Sequence, residues 1–147
     1  MKQALRLTLC LLVLSLLLLT TGVAQDQYTD GPVSRVTLVH ILPGHFNAFM
    51  DDVKNNIKPL WEAEKSSGLI ESYGIFLNQT KSGIDDWDIG FILTYKNFAA
   101  LDGLGMKVLE LRMKQYGDKS KEQQVINKRV ENAVGVSSML IRDITMK

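Results

Sequence analysis

Cysteine, histidine and proline are scarce in this sequence, and neither sign of charge dominates it. There is one cysteine, Cys10, and there are two histidines, His40 and His45, and three prolines. A single cysteine leaves no partner for an internal disulfide. No cysteine or acidic cluster joins the two histidines at ligand spacing, so no metal site is expected. Seventeen basic residues stand against sixteen acidic ones, for a net charge of +1. A chain so nearly neutral has no electrostatic footprint for nucleic acid or anionic lipid. The patterns GxxxxGKS, GxSxG, HExxH and CxxC are also absent, and with them the commonest signatures of nucleotide, hydrolase and metal chemistry. The residues imply no cofactor.

What is abundant is aliphatic sequence, and part of it lies at the N-terminus. Lys2 and Arg6 form a short basic start. Residues 7–19 are aliphatic apart from Thr8, Cys10 and Ser15. Small residues follow, with Gly22 and Ala24 at the −3 and −1 places of a cleavage site. This order of parts is that of a secretory signal peptide over residues 1–24. The apolar run is shorter than the roughly 20 residues of a spanning helix, so no stable membrane anchor is expected after cleavage. Cys10 sits inside the run behind bulky Leu9, which does not suit a lipoprotein cysteine. The mature chain then has no cysteine, and a secreted or periplasmic protein without disulfides must draw its stability from packing or oligomerisation.

Residues 25–33 are polar, with Gly31-Pro32 as a breaker, and read as a flexible leader ahead of one domain over 34–147. Val36 to Leu42 is a β-prone run closed by Pro43-Gly44. The apolar period then lengthens to that of a helix, at Phe46, Phe49, Val53, Ile57 and Leu60, over residues 45–66. Pro59 falls inside this helix and is expected to kink or split it near residues 55–58. Gly68 is the expected left-handed cap. Residues 69–78 and 87–95 alternate as two strands around a loop containing Lys81-Ser82-Gly83. Their aromatic faces, Tyr73, Ile75 and Leu77 on one and Trp87, Ile89, Phe91, Leu93 and Tyr95 on the other, could coincide. Asn97 is a good N-cap for a second helix from Phe98. Ser120 and Gln123 resemble a capping box opening a third helix that Gly135 ends. Residues 137–144 form the last strand.

The order β-α-β-β-α-(α)-β is that of an α+β, ferredoxin-like fold. It implies a four-stranded antiparallel sheet with helices on one face. The first and third predicted strands are apolar on both faces, and helices cover only one. An uncovered apolar face of this kind is an association site, and a second copy packed face to face is the simplest cover.

The strand-turn-helix over residues 36–49, the hairpin carrying Asp86-Trp87-Asp88-Ile89 and the segment Asn97-Phe98-Ala99-Ala100-Leu101 together resemble the dimeric α/β-barrel superfamily. The likeness spans residues 34–144. It implies a homodimer and a ligand-sized space between sheet and helices. It does not choose a chemistry, because that superfamily includes cofactor-free monooxygenases, haem-binding proteins and isomerases. Residues 98–116, where haem-binding relatives often place the axial ligand, contain no histidine.

Two residues are candidates for catalysis, His40 and Tyr73, each as a base. His40 is equally a hydrogen-bonded core residue, and His45 a polar residue at a helix start. Trp87, Phe91 and Tyr95 are candidates to line a pocket for a flat ligand, with Asn78 and Arg35 as its polar groups. The same aromatic stripe also suits a core or a dimer interface. Arg142 beside Asp143 reads as a solvent-exposed pair. Asn78-Gln79-Thr80 fits a glycosylation sequon. The expectation is an exported dimeric barrel that binds a small apolar or aromatic molecule. A cofactor-independent monooxygenase or isomerase of the same fold is one alternative, and a structural homodimer with a filled barrel is another.

Overall fold

A computed structural model describes residues 27–84 and 86–147. The expected signal peptide lies outside the described residues. The described residues divide into two compact units, Asp30–Ile144 and a small unit in which Thr145–Lys147 joins residues 27–29. In the small unit the Lys147 N–H donates to the Gln27 carbonyl at 3.0 Å.

The elements are β1 (Tyr28–Ile41), α1 (Phe46–Asp52), a π-helical turn (Val53–Ile57), α2 (Lys58–Ser66), β2 (Ser72–Leu77), β3 (Ile89–Tyr95), a 3₁₀ turn (Phe98–Leu101), α3 (Leu104–Tyr116), α4 (Lys119–Asn132) and β4 (Ala133–Met146). The strands form one antiparallel sheet in the order β2-β3-β1-β4. This is the ferredoxin-like arrangement that the element order implies.

Strand register sorts the side chains into two faces. Tyr73 stands opposite Leu93 and Ile75 opposite Phe91, so the aromatic faces of β2 and β3 do coincide. Val33, Arg35, Thr37 and Val39 of β1 fall on the same side, opposite Tyr95, Leu93, Phe91 and Ile89. The helices pack on this face. Phe49 of α1 lies 6.4 Å from the Phe91 ring, and Trp61 of α2 meets Phe91 edge-on at 5.2 Å. Leu104 of α3 joins the same core. Burying Phe49, which is 1% exposed, contributes about 1.5–3 kcal/mol.

Pro59 falls where the helix changes to a π turn and then continues, so the expected split does not occur. It carries no N–H, and the helix passes through the π turn Val53–Ile57 just before it. The Asn56 carbonyl of that turn takes a bond from Gln115 Nε2 at 2.8 Å. Beyond α2, Gly68 adopts φ +72°. The Leu69 N–H reaches the Glu64 carbonyl at 2.9 Å and the Gly68 N–H reaches that of Lys65 at 3.0 Å, the paired bonds of a Schellman closure.

Several boundaries differ from the sequence reading. Residues 28–33 belong to β1 instead of forming a leader, because β4 supplies a long partner strand. Asn97 caps only the 3₁₀ turn, accepting from the Ala100 N–H at 3.1 Å, and α3 begins later, at Leu104. Asp118, not Ser120, caps α4, through the Lys121 N–H at 2.9 Å. The last helix ends at Asn132, and Gly135 lies within β4. Arg142 is not paired with Asp143; it bonds Asp30 at 2.5 Å and stacks on Phe98.

The opposite sheet face carries Val36 and Leu38 of β1, Ile92 of β3 and Phe76 of β2. Gly90 stands opposite Phe76, whose ring occupies the place of a side chain there; a Cβ on Gly90 would lie 2.2 Å from it. On the β4 side, Leu42 bonds Asn132 at 2.9 Å and Gly31 lies against Asp143. The two contacts share one offset, which sets Leu38 opposite Val136. The helices described above all pack on the other face.

Candidate ligand site between sheet and helices

Five elements line a cleft on the helix-covered side of the sheet. Arg35 comes from β1, Leu93 and Tyr95 from β3, Glu64 from α2, and Leu101, Leu104, Gly105, Val108 and Arg112 from the 3₁₀ turn and α3. Its lining is mixed, with Leu93, Leu101, Leu104 and Val108 beside the four polar side chains of Arg35, Glu64, Tyr95 and Arg112. Arg35 and Tyr95 are two of the residues singled out from sequence. Their strands pair so that both face the helices, and the Arg35 guanidinium lies 5.9 Å from the Tyr95 ring centre.

Glu64 is 4% exposed, and its carboxylate keeps contact with solvent at the cleft, since among the described residues no buried side-chain oxygen is left without a partner. Burial pushes its carboxyl above the usual carboxylate range, and the positive charges of Arg112 and Arg35 only partly counter this. Tyr95 is 1% exposed, and its hydroxyl is not left as a buried group without a partner. Burial raises the Tyr95 phenol too; Arg35 opposes the shift and Glu64 adds to it. Arg112 is satisfied outside the cavity by Glu122, at 2.6 Å.

Glu64 and Arg112 went unnoticed in the sequence, although a signal was present. Glu64 continues the apolar helical stripe through Ile57 and Trp61, and Arg112 continues the one through Leu104 and Val108. A charge on a buried stripe is unusual unless it is paired or used.

The other sequence candidates lie elsewhere. Phe91 is 6% exposed and packed between Phe49 and Trp61 as core. Trp87 does not share a face with Phe91. It precedes the ladder, where alternation no longer holds, and its ring packs edge-on against Phe76 at 5.6 Å. Tyr73 donates to Glu62 at 2.5 Å, which holds its phenol above the ordinary range. Asn78 Nδ2 donates to the Trp87 carbonyl at 3.0 Å, so the amide of the sequon is engaged within the loop.

His40 belongs to a separate cluster. Its Nδ1 lies 3.0 Å from both the Asp86 carbonyl and Asp88 Oδ2. Both are acceptors, so Nδ1 carries a hydrogen. Asp88 also accepts from the Ile41 N–H at 2.8 Å and pairs with Lys81. Burial raises the Asp88 carboxyl, but Lys81, the Ile41 amide and His40 together outweigh this and leave it below the ordinary range. The cluster ties the end of β1 to the β2–β3 loop. It borders a cleft with Pro43, Phe46 and Ile84. His45 bonds Asn132 through Nδ1 at 2.7 Å. Among the described residues no three histidine, cysteine or acidic side chains converge to hold a metal ion.

No protein-family model matches this chain, and no curated protein matches it. Among solved structures it is similar to HapK from Hahella chejuensis, at 11% identity and a TM-score of 0.49, covering 76% of this chain and 91% of that one. It is also similar to a dimeric ferredoxin-like protein from an uncultured marine organism, at 16% identity and a TM-score of 0.45, covering 80% and 96%. A third is a dimeric protein of unknown function and ferredoxin-like fold from Bacteroides fragilis NCTC 9343, at 14% identity and a TM-score of 0.44, covering 79% and 98%.

Proposed function

We propose that this chain is a homodimeric small-molecule-binding protein whose ligand, with an apolar or aromatic body, occupies the cavity between sheet and helices. The cavity carries this reading: Leu93, Leu101, Leu104 and Val108 wall it, and Arg35, Glu64 and Tyr95 supply a few convergent polar groups. Gly105 gives a clean test. It lines the cavity, and a Cβ there meets nothing within 4 Å, so Gly105→Trp has room to plug the space. A naphthalene dye should gain emission with the parent protein and lose that gain with Gly105→Trp. Equal emission from the two proteins refutes the site.

The homodimer rests on the apolar sheet face that the helices leave uncovered. Export rests on the sequence of residues 1–24. The mass of the protein recovered outside the cytoplasm tests it, since cleavage after Ala24 gives a chain starting at Gln25. A full-length mass counts against it.

A further inference from the structure

His40 is held on one ring nitrogen and open on the other. Its Nδ1 is fixed at 3.0 Å by both the Asp86 carbonyl and Asp88 Oδ2. Asp88 is itself fixed by the Ile41 N–H at 2.8 Å and by Lys81. Nε2 has no partner among the described residues. It is not a buried atom, because no buried side-chain nitrogen lacks a partner among them. In the neutral ring a proton on Nδ1 leaves the lone pair on Nε2. An imidazole oriented in this way by a carboxylate has the form of a general base. The β1–β3 ladder ends at Val39, and His40 lies just past it, lining a cleft at the turn from β1 into α1. Leu42, Pro43 and Phe46 give that cleft an apolar wall, with Phe46 46% exposed. It shares no lining residue with the cleft of Arg35 and Glu64. Two donors also line it. The turn bond runs from the His45 N–H to the Leu42 carbonyl at 3.0 Å and leaves the Gly44 N–H without an acceptor among the described residues. Lys81 supplies an ammonium.

We propose that this cleft is a second site, which hydrolyses carboxylic esters of apolar acids, with His40 as general base, water as nucleophile and Asp88 as the residue that positions the ring. The lining selects this class. Its one ammonium is paired with Asp88, which leaves too little positive charge for a phosphate ester. No serine or cysteine lines the cleft, so the attacking oxygen is that of water. As that oxygen bonds to the ester carbonyl carbon, its proton passes to His40 Nε2 and the carbonyl electron pair moves onto oxygen. The Gly44 N–H and Lys81 are the donors on hand for the developing oxyanion. When the carbonyl re-forms, the bond to the alkoxy oxygen breaks and the imidazolium returns its proton to that oxygen. Ester and water become acid and alcohol, and no other reactant is consumed.

4-Nitrophenyl butyrate tests this on the full chain, because the nitrophenolate it releases absorbs in the visible. The parent protein should turn it over repeatedly, more slowly in heavy water because a proton moves in the attacking step, and intact mass should show no acyl adduct. His40→Gln should lower kcat about a hundredfold or more. His45→Gln, at the histidine outside the cleft lining, should leave it unchanged. Asp88→Asn should lower kcat with KM unchanged, and Phe46→Ala should raise KM for the butyrate more than for the acetate. Diethyl pyrocarbonate keeps the test open if His40→Gln does not fold. The chain has two histidines, so in His45→Gln only His40 is left to modify, and turnover should fall in step with its modification. Turnover that survives the loss or modification of His40 overturns the proposal. A lasting acyl adduct overturns the role of water, and a rise in KM alone on Asp88→Asn removes Asp88 from the dyad. No turnover above buffer overturns the site and leaves the ligand cleft of Arg35 and Glu64 untouched.

Discussion

Arg112 pairs with Glu122 at 2.6 Å and lines the same cleft as Glu64, whose charge Arg112 and Arg35 only partly offset. The folded state bears that charge at a cost. Its carboxyl is raised above the ordinary 4.5, so the folded chain holds the proton more tightly than the unfolded chain. The associated stability is full below the ordinary value and is lost as pH rises through the raised one. Glu64→Gln escapes this loss. It should melt a few degrees higher than the parent at neutral pH, with the gap closing in acid. A lower melting temperature at neutral pH would show that the carboxylate has a partner after all.

Phe49 is the buried residue of α1. It is 1% exposed and lies against Phe91. Phe49→Ala should destabilise the protein by about 3–5 kcal/mol, the range for aromatic truncation in a core. Urea unfolding measures this, and an unchanged midpoint would place α1 elsewhere.

Asp88 ties three segments together through Ile41, His40 and Lys81. Asp88→Ala strands the Ile41 N–H, a change of about 1–3 kcal/mol. It should also speed hydrogen exchange at Ile41, and protection equal to the parent would rule the tie out. Asp86 is likewise depressed, first by the Ser82 amide and then by that of Trp87. For both carboxylates the contribution is complete above the ordinary 3.8 and disappears as pH falls through their lower folded values. The β2–β3 loop should therefore stay ordered through mild acid and loosen only below that range. Trp87 fluorescence follows this, and loosening at higher pH would contradict the assignment.

Leu38 lies on the uncovered sheet face, opposite Gly90 and Val136. Leu38→Lys sets a charge there without touching the helix-side core. Light scattering at micromolar concentration should show a dimer for the parent and a monomer for the variant. A variant that remains dimeric moves the interface to another surface.

The order of elements, the pairing of aromatic faces on β2 and β3, a disturbance of the helix before Pro59 and the closure at Gly68 were all legible in the sequence. Each follows from local rules: side chains alternate along a strand, proline lacks an N–H, and glycine tolerates positive φ. Local rules stop where a contact partner is distant in the chain. Residues 28–33 join β1 because β4, more than a hundred residues later, gives them a ladder to complete. Trp87 turns toward Phe76 because it sits just outside the paired register. The cavity is of the same kind. Arg35, Glu64, Tyr95 and Arg112 are far apart in sequence, and their meeting depends on how α2 and α3 cross the sheet. That crossing is set by packing on Phe91 and its neighbours, so only the tertiary structure brings the four together.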